Sequence, residues 1–409
     1  GRSLFLLQGP RAGMTWFARW KGRRILPAVC STPRRLLIDV STIAQHDAGT
    51  GIQRVVRALW QCFIQAELKD VLVVPVAATA RRGYAVAHYD PDSLTFSLPA
   101  RSAPLVKAAS GDIFLGLDLA AHRLIRHRRQ IAGWRRAGAS INLVVYDLLP
   151  LQRPDWFPES TGRNFRGWIK VLMRHADRAI CISEQVARDL HDMLQTAHAM
   201  SLNRIEIGVM PLSGAIEQSS PTMGMSAEED AALAQLNGQK MVLVVGTIEP
   251  RKGHDSLIAA MEHLWQIDPA APWLVVVGRP GWRTESLQAH MRELARRQPR
   301  FLWLDSATDE VLTAIYARAS LVAVPSRGEG YGLPVAEALR HGRKVLARDL
   351  PVLRELERPG LYFFTDEAPA GLAARLVEIL HHPDPAPYVG AGWDDSARAL
   401  LRALKLVDA

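Results

Sequence analysis

The residues best equipped for chemistry lie in the stretch Pro325-Ser-Arg-Gly-Glu-Gly-Tyr-Gly-Leu-Pro-Val-Ala-Glu-Ala-Leu-Arg-His-Gly342. Gly328, Gly330 and Gly332 make a tight loop after an apolar run, Pro334 suits a first helical turn, and Gly342 suits the helix end. A glycine loop opening a helix presents backbone N–H groups backed by the helix dipole, so the unit suits an anion such as a diphosphate. Glu329 sits on the loop, and Glu337, eight positions on, is placed on the first turn of the helix. Two carboxylates at one cleft mouth accept hydrogen bonds from hydroxyls, which sugars and ribose carry in number. A bare Glu pair would be a turn residue and a solvated helix residue; the glycines and Pro334 around it turn the reading toward a ligand.

A second unit, Gly246-Thr-Ile-Glu-Pro-Arg-Lys-Gly-His254, follows the apolar run Met241–Val245. Gly246 and Thr247 start its loop, and Arg251 and Lys252 stand where a helix is expected to begin. Cations there oppose the helix dipole and need a reason. A diphosphate supplies one, held by the Arg fork and the Lys point charge. The same cations would stabilise charge growing on a departing phosphate. In the first half, Gly49-Thr-Gly-Ile-Gln-Arg54 follows the first apolar run; it reads either as a ligand loop or as an ordinary strand–helix turn. Asp147 ends the run Asn142–Tyr146 and suits either a base or a helix cap. The thirteen histidines show no metal-binding spacing. His254 alone lies beside the cation pair, whereas His88, His122, His127, His175, His381 and His382 read as surface or satisfied core residues. Trp282, after Val277-Gly-Arg-Pro-Gly281, is a candidate neighbour of a nucleotide base.

Those loops need strands to position them. Apolar runs at Leu36–Val40, Val71–Val76, Ile113–Leu117, Asn142–Tyr146 and Arg178–Ile182 alternate with helical stretches such as Ile52–Glu67, the pattern of a parallel sheet with crossover helices. After a Ser-, Gly- and Pro-rich change of texture the alternation resumes with Met241–Val245, Trp273–Val277, Phe301–Leu304, Leu321–Val324 and Lys344–Ala347. The expected organisation is a basic leader over 1–34, a Rossmann-like domain over 35–212 and a linker over 213–238. A second Rossmann-like domain over 239–390 and a C-terminal helix over 391–409 follow. Open α/β sheets bind ligands where strands hand over to loops, which is where the residues above stand.

A chain of 409 residues favours two or three domains, and its composition is that of a globular protein. Cys30, Cys62 and Cys181 are far apart and odd in number, so a disulfide framework or zinc site is not expected and a reducing cytoplasm fits. No apolar run reaches the roughly 20 residues of a spanning helix. Residues 1–30 mix Trp and Phe with Arg and Lys, which suits either an anionic membrane surface or a solvated leader. The net charge of +9 is uneven: residues 1–210 hold 29 Lys and Arg against 16 Asp and Glu, and the rest of the chain is net acidic. A basic half can attract nucleic acid, anionic lipid or a phosphorylated substrate. Its arginines are scattered and form no recognition module, so nucleic acid is not the expected partner. A dinucleotide oxidoreductase is excluded because Gly49-Thr-Gly51 runs on to Arg54 without a third glycine.

Glu329 and Glu337 with Gly330-Tyr-Gly-Leu-Pro334 between them, preceded by Gly246-Thr-Ile-Glu-Pro-Arg-Lys252, resemble the retaining glycosyltransferases of family 4. That family has the GT-B fold, two Rossmann-like doubly wound α/β domains facing a central cleft, and carries a Glu-x7-Glu motif. Ala176-Asp-Arg-Ala-Ile-Cys-Ile-Ser183 and Tyr146-Asp-Leu-Leu-Pro150 match landmarks of its acceptor half. The resemblance runs from about Leu36 to the tail. It implies that Glu337 binds the donor ribose, Glu329 contacts the donor sugar, and Arg251 and Lys252 hold the diphosphate. Gly330, Tyr331, Gly332 and Leu333 would cradle phosphate and sugar, with Gly246, Thr247 and Arg279 in the same donor pocket. Gly49, Thr50, Gly51 and Arg54 resemble the family's loop near the donor phosphate and acceptor. Many members have His before the aspartate where this chain has Tyr146, which leaves the acceptor-side catalytic group open; Asp147 joins Glu329, Arg251 and Lys252 as a catalytic candidate.

The resemblance further implies retention of anomeric configuration with no bound metal and no cofactor, the nucleotide sugar being a substrate. The expected reaction is hexose transfer, with mannose from GDP-mannose as the leading donor because Gly246–Lys252 is like mannosyl-transferring relatives. The acceptor is expected to be a saccharide, lipid-linked, in bacterial surface polysaccharide or O-antigen assembly. The expected location is cytoplasmic, peripheral on the inner face of the cell membrane. A sugar-nucleotide epimerase on the same fold is the alternative.

Overall fold

Strands that read as continuous Val, Ile and Leu runs bury both faces, and such strands pair in parallel between layers of helices. The computed structural model describes residues 33–66, 68–197, 205–216 and 224–407, and in it these strands form two sheets. The leader expected over 1–34 lies outside the described residues up to residue 32. The first sheet contains β1 (Arg34–Asp39), β2 (Val71–Ala77), β3 (Ala85–Val86), β6 (Ile113–Gly116), β7 (Ser140–Val145), β8 (Arg178–Cys181) and β9 (Glu206–Val209). Its order is β3-β2-β1-β6-β7-β8-β9, parallel except where β3 meets β2. A hairpin of β4 (His88–Asp90) and β5 (Thr95–Ser97) packs Tyr89 and Phe96 against Trp60. The second sheet contains β10 (Met241–Val245), β11 (Trp273–Val277), β12 (Phe301–Leu304), β13 (Leu321–Val324), β14 (Val345–Arg348) and β15 (Leu361–Phe364), in the order β12-β11-β10-β13-β14-β15.

Both sheets start in the middle, wind to one edge, and then restart on the other side of the first strand. The winding reverses between β1 and β6 in one sheet and between β10 and β13 in the other. Such reversal points leave a crevice that adjacent helices do not fill. The loops carrying Gly246–Lys252 and Pro325–Gly332 follow β10 and β13, the two strands that flank the second reversal.

The expected strands match to within two residues at either end, but β3, β4, β5, β9 and β15 were not among them. β3, β4 and β5 hold two or three residues each, too few for periodicity to declare, and β9 carries Glu206 and Gly208 and is half-exposed at a sheet edge. Within the stretch expected as linker, the acidic run Glu228–Asp230 opens a short helix as its sequence suggests: Ser226 caps Ala227–Gln235 through a capping box with Glu229, and Leu233 enters the core of the second sheet. The tail helix, Trp393–Ala403, returns to the first half. Trp393, Ala397 and Leu400 are buried with Val55, Leu59 and Phe63 of the helix Gly51–Gln65. No helix among the described residues is long and apolar enough to cross a membrane.

Candidate active site in the cleft

Loops from the C-terminal strand ends of both sheets meet around one cavity of about 1090 Å³. It is lined from the first half by Gly49, Thr50, Gly51, Arg54 and Asp147, and from the second by Gly246, Thr247, Arg251, Lys252, Arg279, Glu329, Gly330, Tyr331, Gly332, Leu333 and Glu337. The lining also includes His122, which the sequence placed at the surface or in the core. Trp282 stands on the same wall, its indole N–H donating to the Trp156 carbonyl at 2.9 Å across the cleft.

The cation pair is not on a helix N-terminus. Arg251 and Lys252 end a one-turn 3-10 segment, Pro250–Lys252, and Gly253 in the left-handed region (φ 68°) separates it from the helix that starts at His254. A side chain at Gly253 would stand 2.2 Å from the Pro325 carbonyl oxygen, so glycine lets the two switch-point loops touch. What balances the cations is Glu329, not a dipole. Lys252 Nζ lies 2.6 Å from Glu329 Oε1, and Arg251 Nη1 lies 3.2 Å from Oε2. Ser326 Oγ donates to Oε1 at 2.6 Å, and Arg251 Nε pairs with Glu249 at 2.8 Å. Burial alone would raise the Glu329 carboxyl; Lys252, Arg251 and the bond from Ser326 overcome it and hold the group at about 2. Glu329 is therefore ionised throughout the physiological range.

Beside this triad the backbone N–H groups of Tyr331, Gly332 and Leu333 donate to no other described residue. Gly332 is left-handed (φ 100°) and Pro334 follows Leu333 in the first turn, so the free donors lie at the N-terminus of the helix Leu333–Arg340. The glycines have a second use that their spacing did not show. An added Cβ would stand 2.7 Å from Trp156 at Gly328 and 1.9 Å from the Tyr146 carbonyl at Gly330. Both partners belong to the first half. Ser183 Oγ donates to the Gly330 carbonyl at 2.7 Å and Tyr331 OH to the Leu212 carbonyl at 2.8 Å. The loop is thus clamped by the opposing domain.

Glu337 lies on the second turn of the helix Leu333–Arg340, one turn deeper than expected. It is buried, with Oε1 2.7 Å from Arg54 Nη1 and Oε2 accepting from Tyr316 OH at 2.7 Å. Arg54 also meets Asp309 at 3.2 Å. Thr50 caps the helix Gly51–Gln65 through a capping box with Gln53, which aims Arg54 across the cleft at the carboxylate end of the cavity. A short helix, Ser41–Gln45, intervenes between β1 and this loop.

Asp147 accepts from Leu149 N–H at 3.0 Å. Burial raises its carboxyl above the ordinary 3.8; Glu329 pushes the same way, while Arg251, the Leu149 N–H and Lys252 oppose. Asp147 thus caps the turn after it and also feels the cation cluster opposite. Tyr146 is buried and donates to the Leu117 carbonyl at 2.7 Å. His254 is buried with neither ring nitrogen bonded to a described residue, and burial followed by Lys252 pushes it down to about 3. It lies outside the cavity lining. Sequence reasoning passed over Tyr316, Asp309 and Trp156, which act at long range in the chain, and quoted Ser183 only as the end of a family landmark. Ser326 and Glu249 stood in motifs already singled out, where a polar residue next to a charged one was the available signal. Among the described residues no group of three or more His, Cys, Asp or Glu side chains is placed to hold a metal ion.

Two doubly wound sheets whose reversal-point loops close on one cavity define a GT-B protein. Sucrose-phosphate synthase of Thermosynechococcus elongatus shares this fold with a TM-score of 0.59 at 18% identity, over 91% of this chain and 97% of that one. Anabaena Alr3699/HepE in complex with UDP and glucose does so with a TM-score of 0.54 at 15% identity, over 91% and 95%. Residues 226–390, in the second half, match the family Glycosyl transferases group 1. The serotype-specific mannosyltransferase WbdA of Escherichia coli is 34% identical over 384 residues, 91% of this chain and 45% of WbdA. The D-inositol 3-phosphate glycosyltransferase of Nocardia farcinica is 31% identical over 236 residues, 57% of this chain and 46% of that relative. The chain spans about half the length of the curated relatives it matches.

Proposed function

We propose that the chain is a retaining glycosyltransferase that moves mannose from GDP-mannose to a saccharide acceptor, lipid-linked, in the assembly of a surface polysaccharide. The observation that carries this reading is the triad Lys252–Glu329–Arg251 set beside the free N–H groups of Tyr331, Gly332 and Leu333. A diphosphate at that point meets two cations and three backbone donors. Glu337, fixed by Arg54 and Tyr316, still has lone pairs for ribose hydroxyls, and Glu329 has one face for the sugar. In the reaction the bond from the anomeric carbon to the phosphate oxygen breaks with its electron pair on the diphosphate. The acceptor oxygen bonds the anomeric carbon from the same face, and its proton leaves to the departing phosphate or to Asp147. Arg251 and Lys252 oppose the charge that grows on the diphosphate, which is the role a metal ion would otherwise take. The mannose assignment draws on the likeness to WbdA.

A thermal-shift panel of GDP-, UDP-, ADP- and dTDP-sugars tests the donor: stabilisation by GDP-mannose above the others is expected, and preference for another nucleotide overturns the assignment. Turnover of the nucleotide sugar with no acceptor present favours an epimerase instead.

A further inference from the structure

We infer that the outer faces of the helices Glu159–His175 and Arg128–Arg136 form the surface by which the protein docks on an anionic lipid bilayer. Residues 121–175 carry eleven Lys and Arg against three Asp and Glu, a net +8 in 55 residues. The structure gathers seven of those cations on the outer side of two helices. Phe165, Trp168, Ile169 and Leu172 of the longer helix and Ile131 and Trp134 of the shorter enter one core on the same face of the first sheet. Their opposite sides therefore point outward together.

On the longer helix Arg163, Arg166, Lys170 and Arg174 are all exposed. At 100° per residue they fall within an arc of about 80° centred opposite the buried side, a cationic stripe roughly 16 Å long. Arg163, Arg166 and Lys170 make no ion pair among the described residues. On the shorter helix Arg128, Arg129 and Arg136 are exposed likewise. The surface is held as one piece: a Cβ at Gly167 would stand 2.7 Å from Ile125, so the longer helix lies tight against the turn that leads into the shorter. The next helix of the same layer, Glu184–Thr196, carries Glu184, Asp189 and Asp192, which marks where the basic surface stops.

A cationic face of this kind concentrates on anionic headgroups, each Lys or Arg near the surface adding about 1 kcal/mol. No large apolar side chain of residues 121–175 is exposed. That removes the stacking platforms single-stranded nucleic acid requires and makes the contact superficial, without insertion. Position supplies the second reason. Thr161, Asn164 and Phe165, on the inner side of the longer helix, line the cleft cavity. One helix therefore walls the site on its inside and bears the stripe on its outside. An acceptor held in the bilayer needs to bend around only about one helix diameter, ~10 Å, to reach the cavity. The docking gains its purpose from the proposed lipid-linked acceptor, but it is measurable without it.

The test floats the full chain with vesicles of phosphatidylglycerol and phosphatidylcholine, and with phosphatidylcholine alone, at about 0.1 M and about 1 M salt. Binding to the anionic vesicles at the lower salt alone is expected. The triple variant Arg129→Gln, Arg166→Gln, Lys170→Gln should partition roughly 100-fold more weakly, about 1 kcal/mol for each of three cations. Its thermal shift with nucleotide sugars should equal that of the wild type, which shows that the cleft is intact. Equal binding to both vesicle types overturns the inference, as does a variant that floats like the wild type, which would move the contact to residues 1–32. Salt-sensitive binding to RNA without vesicle binding overturns it too. A wild type that floats as expected but answers to no nucleotide sugar leaves this surface standing and removes the proposed reaction.

Discussion

Glu329 accepts from Lys252, Arg251 and Ser326 at once, and each partner leaves a different trace when removed. Lys252→Ala takes away one of the two cations proposed to face the departing diphosphate, so kcat should fall by roughly 10²–10³-fold with a smaller change in donor KM. Transfer rates over a donor titration read the split; a variant that loses only KM would mark Lys252 as a binding group alone. The Glu329 carboxyl gives a second handle. Its folded-state value of about 2 lies below the ordinary 4.5, so its stabilising contribution is complete above 4.5 and fades as pH falls through about 2. Urea unfolding from pH 7 to pH 2 should show the wild type losing more stability than Glu329→Gln across that window. Parallel curves would place the carboxylate in solvent. At neutral pH the variant is expected to be the less stable, since Lys252 then loses its counter-charge in a buried site and Arg251 keeps only Glu249.

Among the elements, the loop Gly328–Gly332 couples the halves. A Cβ at Gly330 would stand 1.9 Å from the Tyr146 carbonyl of the opposing domain, and backbone cannot step aside as a flexible side chain would. Gly330→Ala should therefore wedge the cleft open. An increase in the radius of gyration by X-ray scattering, with transfer abolished, is the expected pair of results; full activity would mean the loop moves alone. This contact also marks the limit of what the sequence discloses. The central strands and the chemistry behind them were legible because a run such as Met241–Val245 is long, apolar and followed at once by glycine and charge. The edge strand β9 was not, since Glu206 and Gly208 interrupt its apolar run and its face is half-exposed. The helix position of Glu337 slipped by a turn because Gly332 takes the N-cap and Leu333 opens the helix, a choice a Gly-Leu-Pro string leaves open. Arg251 and Lys252 were placed on a dipole that the 3-10 turn and Gly253 keep away from them. Contacts between Arg54 and Glu337, 283 positions apart, leave no local pattern at all.

Over the whole molecule the chain crosses between the domains and returns. Trp393, after the second sheet is complete, is 2% exposed in the core of the first half, and its indole N–H donates to the Ala215 carbonyl at 2.8 Å. Leu400 and Leu404 follow it against the helix Gly51–Gln65, the same helix that aims Arg54 at Glu337. The tail therefore braces, from behind, the element that reaches across the cleft. Two substitutions separate bracing from reaching. Trp393→Ala empties a buried site and should cost about 3–5 kcal/mol of stability, seen as a fall in the denaturation midpoint, while donor affinity at low temperature stays near that of the wild type. Arg54→Ala removes the ion pair at the cleft itself. One charge-assisted bond is worth about 1.5–3 kcal/mol, so donor binding should weaken by roughly tenfold or more, read by calorimetry with GDP-mannose. If the second half held its donor without help from the first, Arg54→Ala would bind as tightly as the wild type. The ion pair would then serve only to hold the domains together, and its loss would appear in the scattering profile alone.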